Sequence, residues 1–189
     1  MKKFIKTAIE PFKEVFTITC KEFSDERGYF SEHFNQSEFQ KVSGNVTTFV
    51  QDNFSMSRKL VLRGLHFQKK PYEQSKFLRV LNGSIIDILV DIRNTSKHFL
   101  DHAKIPINEE SDFGLFIPKG FAHGFLTTSE NVVVEYLVDE IFMSNYDSGI
   151  SFKDEELSIE LNIKDEDLII SDKDLSLPKI SELKKQGVL

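Results

Sequence analysis

Along most of the chain apolar and polar residues alternate in short stretches, the period of half-buried strands. Val15-Phe16-Thr17-Ile18-Thr19 is β-branched and aromatic and predicts a strand. Asp25 to Gly28 is turn chemistry, and Tyr29 to Phe34 predicts the next strand. Asn35 or Ser37 is placed to cap a short helix running through Lys41. Thr47 to Ser55 alternates, with Phe49, Gln51 and Asn53 on one face and Val50, Asp52 and Phe54 on the other. Beyond Pro71, Gln74 to Leu81 puts Lys76, Leu78 and Val80 on one face. Asn82-Gly83 predicts a two-residue hairpin turn. The return strand, Ser84 to Arg93, sets Ile86, Ile88, Val90 and Ile92 against Asp87, Leu89 and Asp91. Phe113 to Ile117 is a further strand, ended by Pro118-Lys119-Gly120. Ala122 to Thr127 and Val132 to Val138 follow, joined through Ser129-Glu130-Asn131. After Pro178 the period changes, and one helix is predicted from about Lys179 to Lys185. Many short strands joined by turns predict an all-β sandwich or small barrel, open at one end and closed by C-terminal elements. With no repeat or linker composition, residues 1–189 read as one domain.

Composition narrows the function classes. The net charge of −6 gives no basic footprint for nucleic acid, so none is expected as a partner. Met1 to Lys6 is basic but no long apolar run follows it, so neither a signal peptide nor a membrane span is expected. The lone cysteine, Cys20, cannot form an internal disulfide; a reducing compartment, the cytoplasm, fits it. The 18 phenylalanines and absent tryptophan suit a β-rich core.

The candidate chemistry begins at Val61-Leu62-Arg63-Gly64-Leu65-His66-Phe67-Gln68, which sets an arginine and a histidine in an apolar run. An ideal strand would point Arg63 and His66 to opposite faces; a bulge at Gly64 would bring both to one cavity. The alternative is a core histidine with a satisfied hydrogen bond beside a surface arginine. A second histidine, His123, lies in the glycine-flanked Gly120-Phe121-Ala122-His123-Gly124-Phe125. Tyr136 shares an apolar strand face with Val132, Val134 and Val138, and a buried hydroxyl needs a partner, which in the plainer case is a backbone carbonyl. Asp87 either faces solvent or lines a polar interior. The five histidines make no His-x-His pair near a glutamate, and His98 and His102 flank a loop-like Phe99-Leu100-Asp101, so no metal is expected. No Gly-x-Ser-x-Gly turn and no phosphate-cradling glycine loop are present. Acid–base work remains.

Taken together the motifs resemble the nucleotide-linked 4-keto-sugar 3,5-epimerases. The resemblance rests on Asp25-Glu26-Arg27-Gly28-Tyr29-Phe30, Gln51-Asp52-Asn53-Phe54-Ser55, residues 63–68 and Ser75-Lys76-Phe77-Leu78-Arg79-Val80. It continues through Asp87 to Arg93, Ile117 to Phe125 and Ser171-Asp172-Lys173-Asp174, in family order over nearly the whole chain. It implies a cupin-type jelly roll with short peripheral helices, a homodimer, no cofactor, and a nucleotide-diphospho-sugar substrate.

The same resemblance implies residue roles. His66 is the general base beside the C4 ketone, and Asp174, with Asp172 as second choice, orients it. Tyr136 is the acid that returns a proton from the opposite face. Lys76 steadies the enolate oxygen, with His123 close by, and Asp87 hydrogen-bonds within the site. Arg63 pairs with the diphosphate, and Gln51 and Ser55 with sugar or phosphate. Arg27, Phe30 and Glu32 match residues that hold the nucleotide, which a second subunit could supply. One position departs: where family members carry a substrate-touching tyrosine in a Tyr-x-Pro setting, this chain reads Ile141-Phe142-Met143-Ser144, so Phe142 keeps the ring without the hydroxyl. His33 also stands where a smaller residue is usual. The alternatives are inversion at one carbon only, a 3,4-ketoisomerase, a non-catalytic sugar-nucleotide binder and a metal cupin.

Overall fold

The structure is a computed structural model that describes residues 4–189; Met1 to Lys3, the start of the basic stretch, lie outside the described residues. In chain order the strands are β1 (Lys6–Ile9), β2 (Phe12–Thr19), β3 (Lys21–Asp25), β4 (Gly28–Glu32), β5 (Gln51–Ser57), β6 (Leu62–Gln68) and β7 (Lys76–Asn82). They continue as β8 (Ser84–Asp91), β9 (His102–Asn108), β10 (Phe113–Ile117), β11 (Phe121–Thr127), β12 (Val132–Val138) and β13 (Asp147–Gly149). The α-helices are α1 (Gln36–Ser43), α2 (Asp172–Leu175) and α3 (Ile180–Lys185).

One sheet has the order β1-β2-β10-β7-β12-β5, and the other β13-β6-β11-β8-β9; β3 and β4 form a separate ribbon. The pairs joining neighbouring strands are antiparallel. The two large sheets face each other, because their inward residues share one core. Leu78, Val80, Leu115, Val132 and Val134 of the first meet Ile85, Leu89, Phe121 and Phe125 of the second. Burying side chains of this size contributes about 1.5–3 kcal/mol each. The outer face of the second sheet is covered by the C-terminal segment, with Ile150, Leu157, Ile180 and Leu183 on Leu62, Ile88 and Leu126. Phe39 of α1 covers one end of the first sheet's outer face, over Phe16, Phe77 and Phe116.

Asn35 caps α1, its side chain accepting from the Glu38 N–H, so the cap is Asn35 rather than Ser37. α3 lies where the amphipathic tail places it.

The Asn82-Gly83 hairpin is a correction. β7 pairs with β10 and β12, β8 pairs with β9 and β11, and the turn carries the chain from one sheet to the other. Gly83 at φ +81° supplies the left-handed bend, and both edges of each strand are already occupied. Phe99-Leu100-Asp101 is a loop, as the sequence suggests, and His102 behind it opens β9, an edge strand in which Pro106 needs no ladder N–H.

Candidate active site

The site begins at an irregularity in β6. On β11 the register advances two residues, from His123 to Phe125, while β6 advances three, from His66 back to Arg63. The extra residue falls at Gly64-Leu65 and turns Arg63 and His66 toward the same cavity. Gly64 sits at φ +107°, and a Cβ there would meet the Gly124 Cα and the His123 carbonyl oxygen at 2.7 Å each.

The bulge also frees the Gly64 N–H, and Asp174 uses it. One Asp174 oxygen accepts that N–H at 3.0 Å; the other lies 2.7 Å from His66 Nε2. α2 delivers the carboxylate, capped by Ser171, whose Oγ accepts the Asp174 N–H at 3.2 Å. Asp174 is therefore the carboxylate on His66, and Asp172 is exposed. Burial pushes the Asp174 carboxyl up, but the bonds from His66 and Gly64 outweigh it and hold the group below its ordinary range. With Nε2–H given to the carboxylate, the basic nitrogen of His66 is Nδ1.

The facing sheet supplies Lys76 from β7, Tyr136 from β12 and Ser55 from β5. Lys76 and Val138 are register partners, so Lys76 and Tyr136 are diagonal neighbours, with Lys76 Nζ 5.9 Å from the centre of the phenol ring. Burial pushes the Tyr136 hydroxyl up and brings Lys76 down to about 8, against the charges of Asp87 and Asp147. The Ser55 hydroxyl is buried without a hydrogen-bond partner among the described residues.

Asp87 faces the interior of the molecule. It is fully buried on β8, with Oδ2 2.7 Å from His123 Nε2, and His123 Nδ1 lies 3.4 Å from Lys76 Nζ. Burial, the largest influence on His123, pulls the imidazole below its usual range and outweighs Asp87. These groups border a cavity of about 280 Å³ whose walls include Arg63, His66, Lys76, His123 and Tyr136.

Three further features of the cavity were not singled out from sequence. Phe125 and Lys173 line it, and Ser171 builds α2 beneath it. The Ser-x-x-Asp spacing of Ser171 and Asp174 is the signal that could have marked the cap. Lys173 pairs with Asp147 at 2.5 Å.

Other anticipated residues stay off the cavity wall. Arg27 and Phe30 are exposed on the β3–β4 ribbon, where Arg27 pairs with Asp25. Glu32, at the end of β4, accepts from the Asn35 side chain at 3.0 Å. Gln51 accepts the Phe142 N–H at 3.1 Å, tying down a segment whose Phe142 ring is largely exposed. Among the described residues no group of three or more His, Cys, Asp or Glu side chains is arranged to hold a metal ion.

A sequence model described as dTDP-4-dehydrorhamnose 3,5-epimerase matches residues 9–182. The chain belongs to the dTDP-4-dehydrorhamnose 3,5-epimerase family. The protein of that name from Methanothermobacter thermautotrophicus is 42% identical over 182 residues, covering 95% of each chain. The Escherichia coli protein is 40% identical over 179 residues, again with 95% of each covered. Among solved structures, a dTDP-6-deoxy-D-glucose-3,5-epimerase from Legionella pneumophila, in complex with dTDP-4-keto-L-rhamnose, superposes with a TM-score of 0.88. It is 33% identical, with 98% of this chain and 96% of that one covered. The epimerase family has a cupin-type β fold, and its members are isomerases; this chain is an enzyme of that class.

Proposed function

We propose that the chain inverts C3 and C5 of a dTDP-linked 4-keto-6-deoxy sugar, by removing and returning the protons beside the C4 ketone, in deoxysugar biosynthesis. One observation carries the reading: an imidazole–carboxylate pair on one sheet and a phenol on the other border a single cavity, with a lysine among them.

The chemistry follows from that arrangement. His66 Nδ1 takes the proton from the carbon next to the ketone, and the electron pair of the broken C–H bond moves into the carbonyl to give an enolate. Asp174 stabilises the imidazolium formed. The Lys76 ammonium donates to the enolate oxygen, where a fixed donor in a dry site is worth most. Tyr136 then delivers its hydroxyl proton to the same carbon from the other face, and the configuration inverts. The step is redox-neutral and asks for no cofactor. Arg63 at the cavity edge suits a diphosphate, and the unpartnered Ser55 hydroxyl suits a ligand oxygen. A cavity of about 280 Å³ holds the sugar and leaves the nucleotide to lie along the rim.

The rim residues belong to the second subunit of a homodimer in this reading. Arg27, Phe30 and Glu32 do not line their own chain's cavity, and the ribbon's exposed rings need a cover. The whole chain acts as one unit. It works in the cytoplasm, in keeping with its unbridged Cys20. Among the described residues no helix is long and apolar enough to cross a membrane.

Product formed in heavy water from the 4-keto sugar nucleotide tests the reading. Deuterium and inversion are expected at both C3 and C5. Inversion at one carbon would reduce the enzyme to a single-carbon epimerase, and tight binding without exchange would make it a binder.

A further inference from the structure

Asp87, His123 and Lys76 form a row across the gap between the sheets, and the mechanism above gives a task to the lysine alone. Asp87 is fully buried, and its second oxygen, Oδ1, has no hydrogen-bond partner among the described residues. His123 is 6% exposed. A carboxylate only accepts, an ammonium only donates, and a neutral imidazole offers one donor and one acceptor. The contacts at 2.7 and 3.4 Å therefore fit one assignment: Nε2–H to Asp87, and Lys76 N–H to the Nδ1 lone pair. The other tautomer would set a lone pair against the carboxylate and an N–H against the ammonium. An imidazolium would satisfy Asp87 and still oppose the lysine. In a buried place such mismatches are costly.

We infer that Asp87 is a positioning residue: by fixing the His123 tautomer it makes the imidazole an acceptor that holds the Lys76 ammonium toward the C4 oxygen. This rests on the epimerase reading for what the lysine does once held. The carboxylate has a second effect, as its charge is the largest influence opposing burial at Lys76. The charged and titratable groups around the lysine and its cavity are Arg63 and His66 on β6, Asp87 on β8, His123 on β11, Tyr136 on β12, Asp147 at β13, and Lys173 and Asp174 on α2. Of these, Asp87 and Asp147 are the charges that oppose burial at the lysine. The ammonium is the working form, so activity is lost as pH rises through about 8. Removing Asp87's charge lowers that value and moves the loss to lower pH.

Two measurements test this. Nitrogen-15 NMR of the wild-type protein at neutral pH is expected to show His123 as the Nε2–H tautomer. The Nδ1–H tautomer, or an imidazolium, would overturn the inference without any assay of catalysis. Asp87→Asn, a near-isosteric change, is expected to lower kcat about tenfold or more while KM stays within about threefold. The alkaline limb of kcat/KM should move to lower pH. A purely structural role would reduce the amount of folded enzyme and leave the limb in place, and an unmoved limb would sink the inference. Wild-type protein that exchanges neither C3 nor C5 would instead overturn the epimerase reading, and the tautomer result would stand apart from it.

Discussion

Replacing Tyr136 by phenylalanine removes one oxygen and leaves the ring in place between Val134 and Val138. If the phenol is the acid, proton removal by His66 continues in that variant and delivery from the opposite face fails. Exchange at the carbons beside the ketone is expected to persist in part, while inverted product falls about a hundredfold or more. An unchanged product yield would remove the tyrosine from the mechanism. The local sequence leaves this residue, like Asp87, with two readings. An aspartate alternating with aliphatics suits a wet face or a polar interior equally, and the decision comes from His123, 36 positions away. Asp174 over Asp172 is decided in the same way by His66, 108 positions away. His66, Lys76, Tyr136 and Asp174, which the resemblance groups, line one cavity in the structure. Ser171 escaped because its part is to build the short helix that aims Asp174.

At the scale of the element, the bulge in β6 is the feature most sensitive to one atom. Gly64→Ala would place a methyl against the backbone of Gly124 and His123, in a conformation L-residues rarely adopt. Strain of this kind costs about 1–3 kcal/mol, and the overlap adds to it by forcing β6 and β11 apart. A lower melting temperature is expected, with activity falling further than folded protein because His66 and the Gly64 N–H both lose register with Asp174. A variant that melts with the wild type would show that the bulge tolerates a side chain. Gly64 was readable as a bulge on one of two readings, the one in which an arginine and a histidine at odd separation share a cavity; the structure selects it. The Asn82-Gly83 turn was misread because hairpin chemistry specifies a tight reversal and says nothing of which strands pair afterwards. In a two-sheet fold the same reversal changes sheets. β1 and β9 escaped notice because edge strands need neither alternate cleanly nor exclude proline.

At the scale of the whole molecule, the two-sheet all-β plan was legible from strand spacing, since an alternating strand must bury one face on something. The assembly is different. Phe54 and Met56 on edge strand β5 are 66% and 68% exposed, and Tyr29 and Phe30 on the β3–β4 ribbon are 71% and 69% exposed. Two apolar surfaces on one chain suit reciprocal burial across a two-fold axis. The proposed homodimer should sediment at twice 21.8 kDa, and Phe54→Glu should weaken it; a wild-type protein that stays at the mass of one chain would contradict it. The central claim, that one imidazole removes the protons at both carbons, is tested most directly by hydrogen exchange of the 4-keto sugar nucleotide in heavy water, wild type against His66→Asn. The account predicts deuterium at C3 and C5 with the wild type and at neither with the variant. Exchange at the wild-type rate in His66→Asn would contradict it.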